Sequence, residues 1–182
     1  MRVEKVLCGA NFTVILDDRG RLYAFGDNRY GQLGITGLDN VVLAHPAGIQ
    51  TYLRKVKDFA CGEDHAAYVD HQGNVYTWGY GLEGQLGHGD TNSIPIPKKV
   101  QLTGKVDQVA CGGGHTAFLT EQNELWMCGK GRDGQLGRGD QLESTAFPRT
   151  APVKVTSLPP GSVVEAVALG SNHSIALATA AE

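Results

Sequence analysis

Hydrophobic and polar positions alternate in short runs along this chain, and the runs recur. Asn74-Val75-Tyr76-Thr77-Trp78 changes character at every residue, the period-2 pattern of a strand. Matching runs lie at Leu22–Phe25 and Leu125–Cys128. Two more precede each of them: Val3 with Val6 and then Thr13–Leu16, Val56 with Phe59 and then Ala66–Val69, Val106 with Val109 and then Thr116–Leu119. A fourth pair comes last, Val164 with Val167 and then Ser174–Leu177. Between the second and third runs stand Asp17-Asp18-Arg19-Gly20, Asp70-His71-Gln72-Gly73 and Thr120-Glu121-Gln122-Asn123. Gly20, Gly73 and Asn123 share one slot. Glycine and asparagine tolerate positive φ best, so the slot predicts a tight hairpin with a bulge. A fourth, proline-flanked edge segment is expected near Ile94–Leu102 and Pro152–Leu158.

After each third run comes a glycine-rich loop. Gly79–Gly84 reads GYGLEG and fits the G-x-G-x-x-G of a dinucleotide-binding turn. That turn needs a helix opening on it. Gly87, Gly89, Pro95 and Pro97 follow instead, which leaves no room for one. The stretch is one copy of a repeat: GDNRYGQLG from Gly26, GYGLEGQLG from Gly79 and GKGRDGQLG from Gly129, a period of about 50 residues. CGANFT, CGEDHA, CGGGHT and LGSNHS recur in phase at Cys8, Cys61, Cys111 and Leu169. The chain therefore reads as all-β. It is built of units of about four antiparallel strands, each the size of a propeller blade. Three units and a partial fourth are expected, over about 3–55, 56–105, 106–162 and 163–182, as a single partial propeller.

Composition narrows the function. A hydrophobic content of 41% and a charged content of 19% are those of an ordinary globular domain. A net charge of −3 without a basic block gives no support to nucleic-acid binding. No apolar run approaches the length of a membrane span, and the first residues lack a signal-peptide core. The 25 glycines fit many tight turns between short strands.

CGGGHT, then the Leu-Trp run, then GKGRDGQLGRGD together resemble the repeat of the regulator of chromosome condensation family. The resemblance covers nearly the whole chain. It implies the fold of the family's seven-bladed β-propellers, of which this chain holds about half. A half ring leaves sheet faces open, so self-association, or the remaining blades of a longer parent chain, is expected to complete it.

The repeated slots read as structure. Cys8, Cys61 and Cys111 share a slot with Leu169, and Cys128 shares one with Phe25 and Trp78. Both slots are apolar, which predicts four free, buried thiols in a reducing compartment and no metal site. His65, His115 and His173 share a slot with Phe12. They fall on different blades, so they form no metal cluster. Half-buried packing is expected, with a ring N–H bonded to backbone. Gly31, Gln32 and Gly34, Gly84, Gln85 and Gly87, and Gly134, Gln135 and Gly137 are structural in the same sense. Each Gln amide is expected to bond loop backbone, with Leu33, Leu86 and Leu136 wedged between blades.

Loop residues that break the repeat are the candidate binding surface. Asn11, Glu63, Asp64 and Asn172 precede the histidine slot and are expected on one face of the ring. Two long departures, Ile35–Lys55 and Asp140–Gly161, contribute Tyr52, Arg54, Phe147 and Arg149. No catalytic constellation appears: no G-x-S-x-G, no metal spacing and no acid–base pair within a blade. The expected function is a protein–protein docking module, a scaffold within a larger protein or assembly, without a cofactor or enzymatic chemistry. Its expected location is intracellular, cytoplasmic or nuclear.

The alternative, implied by the resemblance, is guanine-nucleotide exchange on a Ran-like small GTPase. In exchange-competent members an acidic residue precedes the repeat histidine, and Asp64 occupies that position. The family's ultraviolet photoreceptor relies on clustered tryptophans. Trp78 and Trp126 alone do not supply them.

Overall fold

The computed structural model describes residues 2–38, 40–51, 54–139 and 148–179. Among the described residues every regular element is a strand. Blade 1 holds β1 (Val3–Cys8), β2 (Phe12–Asp17), β3 (Leu22–Gly26) and β4 (Leu43–Gly48). Blade 2 holds β5 (Val56–Cys61), β6 (His65–Asp70), β7 (Val75–Gly79) and β8 (Ile94–Lys99). Blade 3 holds β9 (Val106–Cys111), β10 (His115–Thr120), β11 (Leu125–Gly129) and β12 (Arg149–Lys154). A two-stranded sheet, β13 (Val163–Leu169) and β14 (Ser174–Thr179), follows as the start of a fourth blade. Each sheet is an antiparallel meander in chain order.

The hairpin slot behaves as its residues require. Gly20, Gly73 and Asn123 sit at φ of 75°, 79° and 59°. The carboxylate of Asp17 accepts from the N–H groups of Arg19 and Arg21, and that of Asp70 from Gln72 and Asn74. These bonds fix the turn and the register of the strand that follows. The outer strand of blade 2 lies within the expected Ile94–Leu102, whereas the other two depart from expectation. The departure Ile35–Lys55 contains β4, which its sequence LAHPAG hides because it is exposed and carries no alternation. In blade 3 the outer strand starts at Arg149, ahead of the expected segment.

The blades pack face to face. One core joins Phe12, Val14 and Leu16 to Phe59, Tyr68 and Trp78; a second joins Val69 and Val75 to Val109 and Phe118; a third joins Leu119 and Met127 to Val164 and Leu169. Burial of these side chains is the main force holding neighbours together.

The histidine slot supplies a polar clasp across each joint. His65 and His115 are fully buried rather than half-buried. Their ring nitrogens bond the next blade: His65 Nε2 lies 2.8 Å from Thr116 Oγ1, and His115 Nε2 lies 3.0 Å from Ser174 Oγ and also bonds the His173 backbone. Each hydroxyl spends its one proton on a carbonyl of the preceding blade, Thr116 on Gln85 and Ser174 on Gln135. The hydroxyl must therefore accept from Nε2–H, and burial, which lowers both pKa values, keeps the rings neutral as Nε2–H tautomers. Each ring lies on the glycine of its Cys-Gly turn, and a Cβ on Gly62 would meet the His65 ring at 2.3 Å.

At the first joint Phe12 replaces the histidine and Ala66 the hydroxyl. The carbonyl of Gln32 then takes the Trp78 indole N–H at 2.9 Å. Every Gln carbonyl is thus paired by the next blade, through whichever donor that blade carries.

The thiol expectation needs correcting. All four cysteines are free, but only Cys111 and Cys128 are buried; Cys61 is half-buried and Cys8 is exposed. The slot faces the preceding blade, and no blade covers Cys8.

A face built from loops of successive blades

The turns before the histidine slot are linked from blade to blade through their backbones. Ala10 N–H donates to Glu63 C=O, Glu63 N–H to Gly112 C=O, and Gly113 N–H to Gly170 C=O. Each turn is also tied to the glycine-rich loop of its own blade: Asp27 N–H bonds Asn11 C=O, Tyr80 bonds Asp64, and Lys130 bonds Gly114. Two sets of loops therefore form one continuous face. Asn11, Glu63, Asp64 and Asn172 all lie on it.

The glycine-rich loops are rigid. Gly84 sits at φ 74°, and a Cβ there would stand 2.9 Å from Thr150 Cα of the next blade. Gly31 meets Pro95 in the same way, whereas Gly134 faces open space. Each Gln holds its own turn: Oε1 of Gln32, Gln85 and Gln135 accepts the N–H of Tyr30, Glu83 and Asp133. The opposite atom, Nε2, has no partner among the described residues in any of the three. Leu33, Leu86 and Leu136 are buried beside them.

Between the turns of blades 2 and 3 lies a pocket of about 170 Å³, lined by Glu63, Asp64, Tyr80, Glu83, Gln85 and Lys130 among others. Among the described residues, none of its three carboxylates makes a hydrogen bond or ion pair. Lys130 is already engaged by Asn172 at 2.8 Å and by Asp133 at 3.3 Å. Burial, together with the neighbouring Glu63 and Asp27 carboxylates, holds the Asp64 carboxyl above its usual range, while Arg29 opposes the shift. Tyr80 packs against Tyr30 with ring centroids 4.8 Å apart. Leu82, between Gly81 and Glu83 of the same loop, is 58% exposed. Three carboxylates against one lysine leave the pocket lining net negative, and with an aromatic pair beside it the site favours a cation.

The other candidates are placed differently. Arg149 opens β12 opposite Gly129, at the same end of the blades, but in a strand rather than a loop. Arg54 lies at the far end, where Nη1 bonds Asp70 and Gln72 at 3.1 and 2.6 Å. Tyr52 and Phe147 lie outside the described residues. His173 is exposed, unlike His65 and His115. Tyr80, Glu83 and Tyr30 were not singled out from sequence. The signal was present, since these slots vary inside an invariant glycine frame: Asp27, Tyr80 and Lys130 in one, Tyr30, Glu83 and Asp133 in the other. Among the described residues no cluster of His, Cys, Asp and Glu could hold a metal ion, and no helix is long and apolar enough to cross a membrane.

An arc of four-stranded blades with a loop-built face on one rim defines the class: a β-propeller repeat protein. The regulator of chromosome condensation (RCC1) repeat model matches residues 19–69, 72–119 and 122–177, and a second model of that repeat matches 3–32, 56–85 and 106–135. The chain belongs to the RCC1 repeat family.

Human protein RCC2 is 32% identical over 124 residues, which cover 55% of this chain and 24% of that protein. The human RCC1-like G exchanging factor-like protein is 33% identical over 102 residues, 54% of this chain and 22% of that protein. Serine/threonine-protein kinase Nek9 of Xenopus laevis is 35% identical over 101 residues, 55% of this chain and 11% of the kinase. The matched regions thus span a quarter or less of these relatives. The structure of Prp20p from Saccharomyces cerevisiae superposes with a TM-score of 0.88 at 18% identity, over 100% of this chain and 44% of that one. Prp20p has binding properties to Gsp1p and histones. At that identity the likeness speaks for the fold.

Proposed function

We propose that this chain is a protein-docking module whose pre-histidine face takes a basic side chain of its partner into the pocket between blades 2 and 3. The observation that carries this reading is the set of carboxylates Glu63, Asp64 and Glu83, unpaired among the described residues, around a pocket flanked by Tyr80. An arginine entering there forms charge-assisted hydrogen bonds and stacks on the tyrosine. The stacked blades, tied to each other through backbone hydrogen bonds, supply the pre-organisation that makes such a small site selective.

The test uses a fluorescent peptide with one arginine and a matched peptide with citrulline, read by anisotropy. The arginine peptide should bind, and Asp64→Asn or Glu83→Gln should weaken it about fivefold to tenfold. Equal binding of the citrulline peptide would refute the reading. Asp64→Ala should leave the melting temperature near wild type, because loop-face substitutions are usually mild.

A second reading is nucleotide exchange on a Ran-like small GTPase, supported by Asp64 at the pre-histidine position. Exchange would arise from tighter binding to the nucleotide-free state. Acceleration of fluorescent GDP release from Ran, lost in Asp64→Asn, would establish it. An unchanged release rate would leave docking alone.

A further inference from the structure

A second cavity lies at the far end of the first joint. Its volume is about 510 Å³, and it is enclosed by the β2–β3 hairpin, the end of β4 and the residues that lead into β5. Four cations line it, Arg19, Arg21, Arg54 and Lys55, and no acidic residue does. A pocket of this size takes a small ligand or a large side chain.

The cations are of two kinds. Arg21 is held by the buried Asp17, with Nε at 2.8 Å and Nη2 at 2.6 Å from the carboxylate, and its guanidinium lies 5.6 Å from the Tyr23 ring centre. Arg54 is held by the buried Asp70 through Nη1. A guanidinium has five N–H donors, so both keep donors beyond these bonds. Arg19 and Lys55 are exposed, and among the described residues neither side chain makes a hydrogen bond or ion pair. Asp17 and Asp70 offset two of the four charges, and the lining stays positive.

The fold does not call for these cations. The slots of Arg19 and Arg21 hold Gln72 and Asn74 in the second hairpin, and Gln122 and Glu124 in the third. Arg54-Lys55 becomes Gly104-Lys105 and then Gly161-Ser162. The turn is kept and the charge is not, as expected where a loop serves a ligand rather than the blade. Beside the cations the wall is apolar, formed by the Tyr23 ring and the buried Ile49.

We propose that this cavity binds an aryl phosphate, presented as a phosphotyrosine of a protein partner. The phosphate carries nearly two negative charges. Arg21 and Arg54 meet it with donors already in place, and the free Arg19 and Lys55 complete its neutralisation. The ring covers the wall of Tyr23 and Ile49, which a phosphoserine would leave bare. The site sits at the opposite end of β2 from the pre-histidine face and does not rest on the reading of that face.

The test titrates the full chain against three fluorescent peptides of one sequence without arginine or lysine, bearing phosphotyrosine, tyrosine or phosphoserine, and reads anisotropy. The phosphotyrosine peptide should bind about tenfold or more tighter than the other two. Arg19→Gln and Lys55→Ser bring in side chains that the repeat already carries in these slots, so both should melt as wild type does. Each should weaken the phosphotyrosine peptide about tenfold. No binding of that peptide, equal binding of the tyrosine or the phosphoserine peptide, or an affinity indifferent to both substitutions would each overturn the proposal.

Discussion

Removing the hydroxyl at Thr116 should cost more than its size suggests. Thr116→Ala leaves the buried Nε2–H of His65 unpaired and the carbonyl of Gln85 with only the weaker Cys128 thiol at 3.4 Å; both groups now bond that hydroxyl, at 2.8 and 2.7 Å. An orphaned buried polar group costs about 1–3 kcal/mol and a lost hydrogen bond about 1 kcal/mol, so the single change should destabilise by roughly 2–4 kcal/mol. His65→Phe is milder, on the order of 1–2 kcal/mol, because Thr116 keeps its bond to Gln85 and loses only the imidazole. Combined, the two changes recreate the Phe12–Ala66 pair, and the Gln85 carbonyl keeps only the Cys128 thiol. The double variant should therefore be about 1–3 kcal/mol more stable than the sum of the single costs. Cys128→Trp on that background places an indole where Trp78 serves Gln32, and should recover part of the remainder. Urea unfolding followed by tryptophan fluorescence at pH 7 measures all four proteins. Strictly additive single and double costs would refute the clasp, because the two residues would then not be coupled across the joint.

Acid should weaken the same joint. Burial, with the neighbouring His115, lowers the His65 pKa to about 3, against an ordinary value near 6.5. The unfolded chain then binds a proton that the folded one refuses. The contribution of His65 is therefore fully present above about pH 6.5 and is lost as pH falls toward 3, by roughly 2 kcal/mol between pH 6.5 and 5. His65→Phe should flatten that slope in urea midpoints, and an unchanged slope would contradict the burial argument. Gly84→Val should destabilise by more than about 2 kcal/mol, since φ is 74° and the Cβ would meet Thr150 backbone; an unchanged melting temperature would count against the turn. Thiol labelling should be ordered: Cys8 reacts in the folded protein, Cys61 more slowly, and Cys111 and Cys128 only on unfolding, because burial holds both thiols well above their ordinary pKa. Fast labelling of Cys111 would contradict the second core.

The strands, turns and blade order were legible because each rests on a local rule. The period-2 alternation of β7 and the shared slot of Gly20, Gly73 and Asn123 are of that kind. β4 was hidden because an exposed outer strand with a proline, Leu43–Gly48, shows no hydrophobic period. The histidine clasp was half legible: Phe12 in the same slot pointed to packing. Its partner lies one blade away in sequence, and only the register of two sheets brings Thr116 to His65. Asp64 and Glu63 were visible as departures from the repeat. Tyr80 and Glu83 were masked by the glycine frame around them, and their convergence on one pocket depends on the stacking of blades 2 and 3.

The central claim is that the pre-histidine face is the docking face, and nuclear magnetic resonance of the labelled chain with the arginine peptide tests it most directly. Shifts should concentrate at Glu63–His65 and Tyr80–Gln85 and vanish when Glu63, Asp64 and Glu83 are changed to amides. Shifts confined to the opposite rim, around Arg19, Arg21 and Arg54, or a pattern unaffected by those amides, would contradict the account.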